Sequence, residues 1–395
     1  MTRSSTWNDN RALARRRLPR GVFDYVDGGA EDEFTLRENR TAFADLAFKP
    51  RVLAGVGTRT QSVEVLGERL DTPVITAPTG ITRMAGRSGE AAAAIGAEAA
   101  GTVSILSASS SVPMSVVAAS VQRPQWLQTY LYADEEQTLA RVRAAKEHGF
   151  RVLVVTADAP ISGNRERDVR NGMKIPFSVG PTMLASVLRK PHWLFDYLVG
   201  PPIVDQFGSG KTSVMNKVLP GQDDSVANVL KGMFNADQNW DDLKRIRDLW
   251  DGPLVLKGIN CAEDARLAVD AGCNGVVVSN HGGRQLDGLA ATIDVLPEVT
   301  AEVGAEIDVL IDSGVRRGSD VVKALALGAK ACLIGRPWVF GMTNGGPAGV
   351  ERTIRSIAEE IDRVMALVGA SSAQSLSPAV LRRRVNAGWM SLPTR

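Results

Sequence analysis

Ala262-Glu263-Asp264-Ala265-Arg266-Leu267-Ala268-Val269-Asp270-Ala271-Gly272-Cys273-Asn274-Gly275-Val276-Val277-Val278-Ser279-Asn280-His281 is one cycle of a rhythm that recurs along this chain. A helical pattern, Ala262 to Ala271, stops at a glycine able to take the left-handed conformation that closes a helix. A few residues later comes a short β-branched strand, apolar on both faces as in a parallel sheet covered by helices. Gly101 stands in the same relation to Val103-Ser104-Ile105-Leu106, Gly149 to Val152-Leu153-Val154-Val155, and Gly328 to Ala331-Cys332-Leu333-Ile334. Pro73 to Ala77, Gln125 to Tyr130, Pro253 to Lys257 and Ile307 to Asp312 fit the same mould. Helical patterns lie between them at Glu90 to Ala100, Glu135 to His148, Ser319 to Leu327 and Gly349 to Leu367. Eight alternating units predict an α/β fold, a closed (β/α)8 TIM barrel, although an open doubly wound sheet has similar local patterns.

Residues 1–70 read as an N-terminal helical cap with a hairpin around Gly67, residues 71–367 as the barrel, and residues 368–395 as a C-terminal tail. After the fourth strand, residues from about 160 to 239 leave the alternation for far longer than an ordinary connection, which marks a lid or docking excursion. No linker divides the chain, so a single domain over 1–395 is expected.

At 395 residues and 44% hydrophobic content the chain can bury a large core. Lys plus Arg total 46 against 44 Asp plus Glu, net +2, which gives no reason to expect nucleic acid as a partner. Cys261, Cys273 and Cys332 have neither disulfide nor metal-ligand spacing, so no metal is expected and a reducing compartment is. No apolar leader follows Met1, and no uninterrupted run reaches the roughly 18 apolar residues of a membrane span. A cytoplasmic protein, at most peripheral to a membrane, is expected.

In a barrel the chemistry lies at the carboxyl ends of the strands. Here those ends are Ala77-Pro78-Thr79-Gly80, Ser107, Gln128 with Tyr130, Thr156 with Asp158, Lys257, Ser279-Asn280-His281, Asp312 and Gly335-Arg336. So many polar groups beside a core are costly unless a ligand satisfies them, as a polar cofactor would. Asp312-Ser313-Gly314-Val315-Arg316-Arg317-Gly318 and Gly335-Arg336 put glycines and arginines after the last two strands, where barrel enzymes often hold a phosphate. Plain turns with surface arginines would read the same way. A lone histidine is more often structural than catalytic. His281, however, sits just past a buried strand with Arg284 close behind, where an imidazole suits removal of a hydroxyl proton. His148 reads as a helix C-terminal residue, and His192 has no assignable role.

The segment Ser279 to Asp287 resembles the signature of the FMN-dependent 2-hydroxy acid oxidase and dehydrogenase family, which includes glycolate oxidase, L-lactate dehydrogenase and (S)-mandelate dehydrogenase. The resemblance runs, in order, through Asp24-Tyr25, Gly28 to Glu33, Gln128-Thr129-Tyr130, Thr156-Ala157-Asp158, Lys257-Gly258, Asp312 to Arg317 and Gly335-Arg336-Pro337. It implies FMN across the barrel mouth. The phosphate would lie at Arg336, Gly314 and Gly335 with Arg316 close by, and Asp312 on the ribityl chain. Pro78, Thr79, Gly80, Ser107, Gln128 and Thr156 would meet the ring system, Ser279 would also bind the cofactor, and Lys257 would face the edge that gains negative charge. The same carry-over gives Arg165 and Arg284 as a clamp on a substrate carboxylate, helped by Tyr25. His281 is the base, Asp158 its partner, and Tyr130 orients the substrate oxygen.

Two departures from the glycolate oxidase pattern bear on specificity. Ser109 stands where that enzyme has tryptophan, so a bulkier substrate could fit. Gly80 stands where the oxidases usually have alanine, which is similar to the lactate and mandelate dehydrogenases and implies a slow reaction with oxygen. The expected reaction is oxidation of a small L-2-hydroxy acid to the 2-oxo acid, with a quinone or other separate acceptor, since the residues before Leu18 are too few for a haem domain. A tailoring enzyme acting on a peptide or carrier-bound substrate, or a non-redox flavin protein, remains the alternative. The basic, aromatic and apolar stretch within 181–203 could dock on a membrane surface or pack as a lid. A homotetramer is expected by resemblance.

Overall fold

The computed structural model describes residues 6–173, 181–200, 234–385 and 388–391. Helices Trp7–Arg17, Arg20–Asp27 and Phe34–Ala44 lead into β1 (Leu46–Phe48) and a hairpin of β2 (Val63–Val65) and β3 (Glu68–Leu70) turning at Leu66 and Gly67. The eight strands that follow are β4 (Val74–Thr76), β5 (Ile105–Leu106), β6 (Trp126–Tyr130), β7 (Val152–Thr156), β8 (Leu254–Ile259), β9 (Gly275–Val278), β10 (Asp308–Ile311) and β11 (Ala331–Ile334). They pair in parallel in the order β4-β11-β10-β9-β8-β7-β6-β5. A parallel bridge between Thr76 and Ser104 joins the two ends of that order. The sheet therefore closes into the expected (β/α)8 barrel, and the doubly wound alternative is excluded.

The expected strands form because their residues are buried on both faces: every position of β7, β9 and β11 is buried. Gly101, Gly149, Gly272 and Gly328 take φ values of 75°, 72°, 83° and 103° at the helix ends, the left-handed conformation that the rhythm required. The last helix differs from expectation. It runs Arg336–Val368 and breaks at Gly345 and Gly346, so the pattern read from Gly349 is its second limb and Arg336 occupies the first turn of the first limb.

The segment after residue 367, read as a tail, carries β12 (Leu381–Val385), antiparallel to β1, and β13 (Gly388–Ser391), antiparallel to β12. Of the long excursion, helices Glu166–Arg170, Pro181–Leu188 and Pro191–Val199 are described. The chain rejoins the barrel at Phe234, which bridges Tyr132. Residues 174–180 and 201–233 of that excursion lie outside the described residues.

Candidate active site at the barrel mouth

The strand ends converge on a cleft that opens to solvent. Its lining includes Tyr25, Arg165, Arg284, His281, Tyr130 and Ser109, together with Pro78, Thr79, Gly80, Ser107, Gln128, Thr156, Lys257, Asp312, Gly314, Arg316, Gly335 and Arg336. Among the expected site residues only Asp158 and Ser279 do not line it. They stand behind His281 and Lys257 respectively.

His281 follows β9 with φ 57°, a left-handed conformation uncommon outside glycine. Its backbone N–H donates to Ser279 Oγ at 3.1 Å, and its Nδ1 lies 2.9 Å from Asp158 Oδ1. Beside Asp158, β8 shifts register between Lys257 and Ile259. Gly258 at that shift has φ 111°, and a Cβ there would sit 2.7 Å from the Asp158 Cβ. Burial lowers the His281 pKa, and together with the charges of Lys257 and Arg165 it outweighs the rise that the Asp158 carboxylate causes. Burial raises the Asp158 carboxyl, but the charge and hydrogen bond of His281, with Lys257, hold it below its usual value. The pair therefore rests as a neutral imidazole beside a carboxylate, with the other ring nitrogen left for substrate.

Lys257 Nζ donates to Ser279 Oγ at 2.8 Å and lies 3.1 Å from Asp312 Oδ2. Burial alone would lower its pKa, but Asp312 and Asp158 more than offset that, so the ammonium persists in the core. Ser313, next to Asp312 in the chain, was not expected. Its Oγ donates to Asp312 Oδ1 at 2.7 Å and accepts the Gly282 N–H at 2.9 Å, tying the loops after β9 and β10 together.

Arg284 Nη1 donates to the carbonyls of Tyr25 and Gly28 at 2.8 and 2.9 Å, and the guanidinium lies over the Tyr25 ring, 5.2 Å from its centroid. Burial, then the nearby charge of Arg165, lowers its pKa. Burial also raises the Tyr130 phenol, helped by Asp158, so its hydroxyl stays protonated. Phe234, 4.8 Å from Tyr130 between ring centroids, completes this side of the cleft. It was missed because nothing local in the sequence says where the excursion returns.

At the other end, Arg336 Nη2 and Nε donate to the Gly28 and Asp27 carbonyls at 2.7 and 3.2 Å. Its pKa is pushed down to about 9, first by burial and then by Arg284. Arg316 stacks 4.5 Å from the Trp7 centroid, and its pKa falls through burial and then through Arg336 and Arg40.

The residues fit FMN on two grounds. The Gln128 Nε2 and Thr156 Oγ1 atoms are buried without a hydrogen-bond partner and line the cleft on neighbouring strands, as the polar edge of a flat heterocycle would require. At the opposite end Arg336 lowers the proton affinity of Arg316 and Arg284 that of Arg336, and cations crowded together away from water need an anion such as a phosphate.

Residues 14–383 match the model of the FMN-dependent dehydrogenase family. An L-lactate dehydrogenase of Xanthomonas campestris pv. campestris (strain 8004) is 41% identical over 380 residues, covering 96% of this chain and 97% of that protein. An L-lactate dehydrogenase of Vibrio cholerae serotype O1 (strain M66-2) is 39% identical over 381 residues, covering 96% and 99%. Among solved structures, the monotopic membrane protein (S)-mandelate dehydrogenase superposes with a TM-score of 0.89 at 37% identity, covering 96% of this chain and 99% of that one. A soluble mutant of the membrane-associated (S)-mandelate dehydrogenase from Pseudomonas putida gives 0.81 at 36%, with the same coverage. Matched in sequence along nearly its whole length and in the fold that carries the cleft, the chain belongs to the FMN-dependent dehydrogenase family.

Proposed function

We propose that the chain oxidises a small L-2-hydroxy acid, lactate- or mandelate-like, to the 2-oxo acid and passes the electrons to a quinone or another acceptor rather than to oxygen. The observation that carries this reading is the 2.9 Å contact of His281 with Asp158 on a cleft shared with Arg165 and Arg284. FMN, when bound, supplies a two-electron acceptor for the hydrogen on C2. Arg316, Arg336, Gly314 and Gly335 would hold its phosphate and Asp312 its ribityl chain. Pro78, Thr79, Gly80, Ser107, Gln128 and Thr156 would hold its ring, with Lys257, steadied by Ser279, near the edge that becomes negative.

Arg165 and Arg284 bind the substrate carboxylate as planar donors, with Tyr25 beside them. The free nitrogen of His281 takes the hydroxyl proton. Asp158 keeps its charge, fixes the tautomer through Nδ1 and stabilises the imidazolium that forms. Tyr130, whose raised pKa keeps its proton, donates to the substrate oxygen. The guanidinium pair favours a free carboxylate over a carrier-bound ester or amide. Ser109, a small residue, leaves room for a substrate side chain, and Phe234 offers it an apolar wall. Gly80 packs so close that a Cβ would lie 2.6 Å from Ser109 Cβ, which ties the shape of this wall to a glycine. The test is anaerobic mixing of the yellow protein with a panel of L-2-hydroxy acids, followed by air. Bleaching by lactate, mandelate or a relative with slow return of colour supports the reading, and persistent absorbance across the panel would refute it.

The proposal extends to a cytoplasmic homotetramer in peripheral contact with a membrane. Among the described residues no helix is long and apolar enough to cross one. Helices Pro181–Leu188 and Pro191–Val199 nevertheless leave Leu188, Phe195 and Leu198 65%, 63% and 70% exposed. A neighbouring cleft is lined by Arg16, Arg17, Arg87, Arg189 and Lys190. Apolar side chains beside cations suit an anionic bilayer surface. The protein should co-float with vesicles containing anionic lipid, be released by salt, and lose binding in Phe195→Glu/Leu198→Glu without losing turnover. Flotation indifferent to lipid charge and to the double substitution would remove this part of the proposal.

A further inference from the structure

Helix Glu135–Glu147 turns Thr138, Arg141, Val142 and Ala145 away from solvent. Their spacing of three and four residues is that of one helical face, so Arg141 stands on the stripe where an apolar side chain belongs. It is 1% exposed. Taking a guanidinium out of water costs free energy, and arginine does not shed its proton to escape that cost. The chemistry above makes no use of it.

The helix delivers this cation to the cleft wall. The ladder between β5 and β6 ends at Leu106 and Leu127. Just beyond, Arg141 Nη2 donates to the Ser107 carbonyl at 3.1 Å and Nε to the Gln128 carbonyl at 3.4 Å, bridging the two strand ends. Both residues line the cleft. The Gln128 Oε1 accepts the Ala108 N–H at 2.8 Å, which leaves its Nε2 as the donor without a partner. Ser107 Oγ accepts the Ser109 N–H at 3.1 Å. A planar fork of donors can hold two carbonyls at once, as a point-like ammonium does not. Carbonyls satisfy such donors without neutralising their charge.

We propose that Arg141 is a positioning residue for the flavin ring whose charge also raises the flavin's reduction potential. The inference rests on reading Ser107 and Gln128 as ring contacts. By bridging their carbonyls, Arg141 fixes the wall from which Gln128 Nε2 reaches the ring. Its positive charge behind that wall favours the reduced ring, which gains negative charge, over the neutral oxidised one. Lys257 acts in the same sense from β8, and Arg141 adds a second cation from the β5 and β6 side.

The test is the potential of the bound flavin, read by anaerobic reductive titration of the FMN-loaded protein against a dye of known potential. In Arg141→Met and Arg141→Gln the ratio of reduced to oxidised flavin at a fixed potential should fall on the order of tenfold, about 30 mV for a two-electron couple. That is the effect of removing a unit charge roughly 10 Å away through an effective dielectric of about 20. Arg141→Lys should keep most of the wild-type potential while binding flavin more weakly, because the charge stays and the fork is lost. A variant that holds flavin too loosely to titrate is measured by its affinities for oxidised and reduced FMN, whose ratio carries the same information. A purely structural role would weaken both affinities equally. A potential unchanged in the neutral variants overturns the proposal, and so does an Arg141→Lys potential that falls as far as theirs. Gln128→Leu separates this from the underlying reading: if oxidised-flavin affinity and spectrum are indifferent to that change, the ring lies elsewhere, whereas a response there with a static potential in the Arg141 variants defeats Arg141 alone.

Discussion

His281→Gln should lower turnover by about 10⁴-fold, the upper end for loss of a general base, while FMN stays bound and the absorbance of the oxidised flavin is unchanged. Gln is close to isosteric with the ring and can still accept or donate a hydrogen bond, but it cannot carry the hydroxyl proton. The expected size reflects the role of Asp158: removing the imidazole also strands a buried carboxylate whose pKa it helped to hold down. In the wild type, kcat/KM should rise with pH through the His281 pKa. Burial sets that pKa below the ordinary 6.5, so the loss of activity falls on the acid side and the rate is level near neutrality. In the Gln variant that limb should vanish. Stopped-flow flavin reduction against pH measures both. A variant within tenfold of wild type, or an acid limb that survives it, would mean that another group takes the proton.

Lys257→Met carries the largest expected effect on stability. The ammonium is 3% exposed and is held by Asp312 and Ser279, with Asp158 also in its field. Removing one member of a buried pair leaves the other charge uncompensated, which costs about 3–5 kcal/mol. Asp312 then loses its ion-pair partner, and Asp158 loses one of the charges that hold its pKa down. Denaturant unfolding should show a lower midpoint with an unchanged slope, and the variant should release flavin on dilution more readily than wild type. An unaltered midpoint would show that Lys257 is not the charge on which this part of the core depends.

The barrel was readable because its signal is local and repeated. Val152 to Thr156 or Ala331 to Ile334 can be buried only as strands covered on both faces, and the glycine before each closes a helix. The site followed from asking what ends each strand, so His281, Lys257, Asp312 and Arg336 were found from position. The assignment of partners to them came from the family resemblance. What stayed hidden depends on contacts between distant segments. Leu381-Arg382-Arg383-Arg384-Val385 has no apolar alternation to announce a strand and becomes one by pairing with Leu46–Phe48. Phe234 acquires its place from a bridge to Tyr132. The break at Gly345 and Gly346 hid the first limb of the last helix, because a glycine pair reads as a stop. Ser313 offered no signal apart from adjacency to Asp312.

The antiparallel bridge of Phe234 to Tyr132 means that one boundary of the cleft arrives from the end of an insertion, while the imidazole, its carboxylate and the ammonium are carried by the barrel itself. Part of the selector is thus held on a length of polypeptide apart from the bond-breaking groups. Descendants of such a chain can vary the far end of the insertion and shift their diet, so long as Arg165 at its near end stays in the cleft.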